Sequence, residues 1–281
     1  MLSLNRTRKH LKNEICKFIF ANDKREVVCV LDCHCHLNDH QYDADREQVI
    51  AEVFASGIEK VICVGADFTS SIEVKSLSEK YNNIYYTIGV HPDNCDEYSE
   101  KILEHMIKSA NKKLVAIGEI GIDYFHNKTN KEKQIAVFTS QIELAIKYNL
   151  PIVIHCRDAY GDTLEILKKY APLKVPVEFH CFSGSLEYAK ELLRLGVKMS
   201  FTGNVTFKNA VNIQEVAKNL PLDAFFFETD SPYMAPVPHR GERNTPKYVW
   251  EVANFVANLR GMNCSELVKK TDQNAKQFFK I

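Results

Sequence analysis

Net charge is the first thing missing: 36 Lys and Arg stand against 36 Asp and Glu in 281 residues. A protein that coats nucleic acid by bulk electrostatics is therefore not expected, although neutrality leaves room for a local basic site. No apolar run approaches the ~18–20 residues that a membrane-spanning helix needs, so no membrane partner is expected. No Pro-, Gly- or Ser-rich linker and no low-complexity tract divides the chain, which points to one domain over 27–281. The nine cysteines are odd in number and lie in a large chain, which argues against a disulfide framework. A reducing compartment, and hence the cytoplasm, is the expected location.

What is present reads as a soluble globular protein with ample core: hydrophobic residues make up 45% and charged residues 26%. Residues 1–26 stand apart as an N-terminal extension, with seven basic and three acidic residues and Leu4, Leu11, Ile15 and Phe18 at helix-like spacing. An organelle-targeting segment is one reading of Arg6, Arg8 and Lys9 there; a short helix packed beneath the domain, or a frayed extension, is the other.

Beyond residue 26, eight β-branched, apolar runs recur at 27–31, 60–65, 84–90, 114–118, 151–155, 176–181, 197–202 and 224–228. Charged segments with a 3.6-residue period separate them, at 43–56, 69–80, 99–110, 131–148, 160–170, 185–195 and 207–219. Two more follow the last strand, at 246–259 and 265–279, with Ser265 as the expected N-cap of the second. Strands apolar throughout and joined by helices are parallel and covered on both faces. Eight such units close most economically into an α/β fold, the (β/α)8 TIM barrel, here with a C-terminal helical extension. An open doubly wound sheet would normally carry a Gly-rich phosphate turn after its first strand, where this chain has Asp-Cys-His-Cys-His.

In a barrel of this kind, the active site lies at the C-terminal strand ends. There the chain places His34 and His36 after strand 1, His91 after strand 3, Glu119 after strand 4, His155 and Arg157 after strand 5, His180 after strand 6, and Glu228 and Asp230 after strand 8. Five of the ten histidines fall at these ends, which argues against chance. His34 and His36, one residue apart, point the same way from a strand because side chains alternate. Together His34, His36, Glu119, His155, His180 and Asp230 offer four imidazoles and two carboxylates. That exceeds the needs of one tetrahedral ion and suits two divalent ions sharing a carboxylate, with Glu119 as the natural bridge. Such ions acidify water to near-neutral pH, and Asp230 can orient that water or take its proton. Glu119 and Asp230 are thus the catalytic candidates. Cys33, Cys35, Cys156 and Cys181 each adjoin a histidine. Strand alternation turns them outward as small apolar fillers rather than zinc thiolates.

These stretches resemble the TatD family of metal-dependent deoxyribonucleases, a branch of the amidohydrolase-like barrels. The motifs are Asp-Cys-His-Cys-His-Leu (32–37), Gly-Val-His-Pro (89–92), Ala-Ile-Gly-Glu-Ile-Gly-Ile-Asp-Tyr (116–124), Pro-Ile-Val-Ile-His-Cys-Arg (151–157), Phe-His-Cys-Phe-Ser-Gly (179–184) and Glu-Thr-Asp-Ser-Pro-Tyr (228–233). The likeness begins near residue 28 and runs to the C-terminus. It implies that the same six residues are the metal-ligand positions. It also implies magnesium-dependent hydrolysis of DNA, notably 3′-to-5′ exonuclease action on single strands, with manganese and zinc left open by the mixed N/O donors. A monomer is expected.

Around this set, His91 is read as a phosphate ligand or acid, against a loop-capping role beside Pro92. Arg157, two residues past His155, has the fork that matches a phosphate, against an ion pair with Asp158 or Glu228. Glu228 is the expected partner that fixes a histidine tautomer. The segment 236–247 holds Arg240, Arg243 and Lys247 against Glu242, a local basic patch suited to a DNA backbone. Tyr124, Phe182 and Tyr233 are positioned either to stack on bases or to pack the rim. The competing function is hydrolysis of an ester, amide or lactone. Related barrels of that kind bridge their metals with a carbamylated lysine after strand 4, where this chain has Glu119 and no lysine before Lys128. A non-catalytic, metal-containing interaction protein is a third reading, disfavoured by the complete donor set.

Overall fold

The computed structural model describes residues 29–126 and 131–281, so the readings of residues 1–26 and of the first strand's start at 27–28 lie outside the described residues. Eight strands appear: β1 (Val30–Cys35), β2 (Ile58–Val64), β3 (Ile84–Ile88), β4 (Leu114–Asp123), β5 (Ile152–Arg157), β6 (Val177–Phe179), β7 (Lys198–Phe201) and β8 (Phe225–Phe227). They pair in sequence order and every pairing is parallel. At the seam, a bridge joins Cys35 to Ser231, His36 N donates to Ser231 O at 2.7 Å, and Asp230 N donates to His34 O at 2.9 Å. The sheet is a nearly closed barrel.

Helices α1 (Arg46–Ala55), α2 (Phe68–Lys80), α3 (Glu100–Lys108), α4 (Lys131–Tyr148), α5 (Tyr160–Lys169), α6 (Leu186–Arg194), α7 (Val211–Asn219) and α8 (Val249–Arg260) follow the strands in turn, and α9 (Cys264–Phe279) ends the chain. Local chemistry starts several of them. Asp67 forms a capping box with Ser70 on α2, and the Ser185 hydroxyl accepts from Tyr188 N on α6. The cap of α9 is Asn263, whose side chain accepts from Ser265 N and Glu266 N, rather than the expected Ser265. Asparagine two residues earlier takes the cap because its side-chain carbonyl reaches both orphan donors.

Two apolar layers result. The larger lies between strands and helices, joining residues such as Ile117, Ile154 and Phe227 to Val53, Phe138 and Val252. The smaller fills the N-terminal end of the barrel, where Leu31, Cys33, Ile62, Val153 and Phe226 meet Ala275, Phe278 and Phe279 of α9. No helix of the described residues is long and apolar enough to cross a membrane.

Cys33 departs from the expected alternation. Cys35 faces the outer layer, its sulfur 3.8 Å from Cys63, but Cys33 belongs to the inner cluster with Leu31. The β1–β2 register slips between Asp32 and Cys35, and that irregularity re-aims the strand. A second slip, between Ile117 and Ile120 in β4, has the same effect. Both isoleucines belong to the outer layer with two residues between them instead of one. The extra residue turns Glu119 inward.

Candidate metal centre

His34 and His36 bring their Nε2 atoms to 3.3 Å. Glu119 Oε2 lies 3.4 Å from His34 Nε2 and 3.8 Å from His36 Nε2, and Asp230 Oδ1 lies 3.8 and 3.4 Å from the same two nitrogens. The other carboxylate oxygen of Glu119 faces a second set: His180 Nε2 at 2.7 Å, His155 Nδ1 at 2.8 Å and His91 Nε2 at 3.7 Å. Ring nitrogens of His155 and His180 approach to 3.4 Å, and the His34 and His180 rings stack with centroids 4.1 Å apart. The other five expected ligand positions therefore gather around Glu119, with His34, His36 and Asp230 on one side and His155 and His180 on the other. Within the described residues, His34, His36 and Asp230 form one candidate ion-holding group, and His91, Glu119 and His155 another.

Two of the outer ring nitrogens are held from behind. His36 Nδ1 donates to Val64 O at 3.1 Å, and His155 Nε2 donates to Asp123 Oδ2 at 2.9 Å. His180 Nδ1 lies 3.5 Å from Glu228 Oε1 without a hydrogen bond, and His34 Nδ1 is likewise buried without a hydrogen-bond partner. For His36 and His155 such backing fixes the tautomer and aims the inner lone pair, the usual arrangement around a bound metal. The donor set fits divalent cations: nitrogen–nitrogen contacts of 3.3–3.4 Å make poor hydrogen bonds, and a cation between them would satisfy both lone pairs.

Electrostatics point the same way. Burial by itself would raise Glu119, but His180, His155 and His34 hold it well below the ordinary carboxylate range. Asp230 behaves alike: burial opposes and His36 and His180 prevail. Burial also disfavours charge on His180, yet Glu119 and Glu228 raise it well above the imidazole value. His155 is raised against its own burial by Asp123 and Glu119. His34 goes the other way, lowered by burial and by the His180 charge, so its ring is neutral. Two ionised carboxylates in this space demand positive charge, and metal ions supply it with release of those imidazole protons.

Backbone placement is tight. A Cβ on Gly121, whose φ is +152°, would sit 1.9 Å from His155 O, so any side chain there would push the His155 segment of β5 away. Asp32, fully buried, accepts from Thr229 N at 2.9 Å, Thr229 Oγ1 at 2.5 Å and His34 N at 3.3 Å, tying β1 to the end of β8. Asp230, just beyond, adopts φ 53°.

The remaining expected residues separate. His91 caps the turn at Pro92–Glu97 through Nδ1, which accepts from Asp93 N, while Nε2 faces Glu119. Burial, with the His155 charge, lowers it to about 3, so it is uncharged at neutral pH. Glu228 is buried, accepting from Cys181 N at 2.8 Å and Ser200 Oγ at 2.6 Å behind His180. Arg157 is exposed, makes no ion pair among the described residues and rests 3.9 Å over the Phe125 ring. Tyr124 turns its hydroxyl to Asp162 at 2.6 Å, with Lys131 over its ring. Phe182 is buried against Tyr188, whereas Tyr233 is half-exposed and bonded to Asp39. Arg240 is exposed over Phe207. Arg243 forks onto Asp45 at 2.6 and 2.9 Å, and Lys247 lies 3.6 Å from Glu52. The basic patch of 236–247 is thus largely neutralised by α1 and the loop before it. Asp123 was missed in the sequence, although its period-two spacing from Gly121 at the end of β4 marks it as facing the mouth.

A family model described as TatD related DNase matches residues 31–280. An uncharacterised metal-dependent hydrolase of Bacillus subtilis, YabD, is 43% identical over 253 residues, covering 90% of this chain and 99% of that protein. A protein of Pantoea vagans named 3′-5′ ssDNA/RNA exonuclease TatD is 30% identical over 259 residues, covering 90% of this chain and all of its own. Among solved structures, the TatD homolog YJJV of Escherichia coli K12 superposes with a TM-score of 0.86 at 28% identity, covering 91% of this chain and 100% of that one.

Proposed function

Because the chain belongs to the TatD related DNase family of metal-dependent hydrolases, we propose that it hydrolyses phosphodiester bonds of single-stranded DNA from the 3′ end, using two divalent ions. The observation that carries this reading is the division of labour at Glu119, whose two oxygens face two different donor sets. One ion would be held by His34, His36 and Asp230, the other by His155 and His180, with Glu119 shared. Magnesium is the working ion we favour, because carboxylates suit it and DNA provides further oxygen ligands. When bound, the ions supply polarisation of the phosphodiester and acidification of water.

The chain's own residues do the rest. Asp230, kept ionised, orients the attacking water and accepts its proton. Asp123 and the Val64 carbonyl hold His155 and His36 in one tautomer, and Glu228 backs His180. Arg157 takes a non-bridging phosphate oxygen through its fork, and Arg240 offers a second cation farther round the rim. His91, uncharged, serves as a neutral hydrogen-bonding group beside the phosphate.

The test is a metal-stripped enzyme reloaded with magnesium, manganese or zinc and assayed on 3′- and 5′-labelled single-stranded DNA, beside an ester and an amide. The expected product is a ladder shortening from the 3′ end. Turnover of the ester or amide with intact DNA would replace this reading with the competing one. Elemental analysis of Glu119→Ala is expected to give fewer than two ions per chain; an unchanged count would refute the shared carboxylate.

A further inference from the structure

Beside the metal centre, the turn leaving β4 carries a feature that the metal chemistry does not use. Phe125 is 51% exposed, and its ring lies under the Arg157 guanidinium at 3.9 Å and edge-on to His126 at 4.8 Å. An exposed phenylalanine alone needs no explanation. This one is held in place. The backbone N–H groups of Phe125 and His126 both donate to Asp123 Oδ1 at 2.8 Å, and His126 Nδ1 donates to Asp123 Oδ2 at 2.9 Å. The same Oδ2 accepts from His155 Nε2. Tyr124 N donates to Arg157 O at 3.0 Å, which locks the turn to β5. One buried carboxylate thus orients a metal-facing histidine and the aromatic surface together.

The groups near Asp123 also include Asp93, which invites a further cation. Asp123 is already saturated by four donors, so that reading fails. The stacked pair has other uses. A guanidinium set over a ring face leaves N–H groups to fork onto a phosphate, and Arg157 has no ion-pair partner among the described residues. The neighbouring aromatic surface suits a nucleobase, because every base has a π-face.

We propose that Phe125 and Arg157 form a platform for one nucleotide of the strand, Phe125 stacking on its base and Arg157 binding its phosphate, so that Asp123 fixes the distance from stacked base to metal centre. This rests on the nucleic-acid reading above and adds the residue that distinguishes a base-bearing strand from a bare sugar–phosphate chain.

The metal-loaded enzyme is assayed on an oligothymidylate and on a strand of equal length in which tetrahydrofuran spacers replace every nucleotide but the 3′-terminal pair. Wild type is expected to show a lower KM on the base-bearing strand. Phe125→Ala should raise that KM roughly 5- to 150-fold, the range that loss of one stacked base implies, and so shrink the preference. Phe125→Trp should restore it, while Arg157→Ala should raise KM on both strands. Metal content and circular dichroism of each variant verify that His155 and the barrel are intact. A preference that survives Phe125→Ala, or a variant that loses both strands in equal measure, overturns the platform and leaves the nuclease reading standing. Wild-type enzyme that cuts neither strand overturns both.

Discussion

The two ends of the barrel are built from the same eight strands and do opposite things. At the C-terminal end, imidazoles and carboxylates crowd into contacts of 2.7–3.8 Å, including nitrogens that face nitrogens. At the N-terminal end, α9 closes the barrel with rings: Phe278 and Phe279 pack against Phe226 at 5.5 and 5.7 Å. Asn274 of α9 adds hydrogen bonds to Leu222 O and Phe225 O at 2.7 and 2.9 Å. The mouth is poised for ligands at a cost in stability, and the floor supplies the stability that tolerates it. Function and folding should therefore respond separately to substitution at the two ends.

The sharpest break of that separation would come at Asp230. Asp230→Asn should lower the hydrolysis rate by on the order of 10²–10⁴, the range for loss of a general base, while the melting temperature stays put or rises. If melting fell in step with activity, mouth and floor would not be separable. Phe278→Ala is the converse, with an expected loss of ~3–5 kcal/mol in urea unfolding and an unchanged turnover per folded molecule. A collapse of kcat in folded Phe278→Ala would show that the floor reaches the site.

Asp272 of α9 gives a smaller, pH-dependent effect. Burial raises its carboxyl from 3.8 to about 7, against the Leu31 N–H it accepts at 3.2 Å. The folded state therefore keeps a proton that the unfolded chain releases. Its contribution is fully present below pH ~4 and is lost as pH rises through about 7, with a slope set by one proton. Asp272→Asn should flatten unfolding free energy against pH over that window relative to wild type; parallel curves would rule the proton out. The smallest effect belongs to Arg243→Ala. With its guanidinium committed to Asp45, the substitution should leave KM for DNA unchanged, and a marked rise would return Arg243 to the substrate side.

Much of the mouth was readable in the chain because strand ends in a (β/α)8 barrel are neighbours whatever their separation in sequence. His34, His36, Glu119, His155, His180 and Asp230 could be gathered by finding eight strands and reading past each one. The strand ends themselves shifted: β4 runs on to Asp123 and β1 reaches Cys35, since pairing with a neighbour, not composition, ends a strand. Arg243 and Lys247 read as a basic patch because their partners, Asp45 and Glu52, stand some 200 residues earlier. Tyr124, left open between stacking and rim packing, is tied to Asp162, and Phe125, which the sequence reading did not single out, lies under Arg157; both partners come from other elements.

By itself, then, the sequence determined the alternation of strands and helices, the absence of a second domain's linker and the residue types available at each strand end. These follow from local periodicity and from side chains adjacent along the chain. Tertiary structure alone decided where alternation breaks and who partnered whom. The slips in β1 and β4 turn Cys33 and Glu119 against simple alternation, and Asp123 reaches His155 only because β4 lies beside β5. Those outcomes depend on hydrogen-bond register and charge pairing between distant segments, which local pattern does not encode.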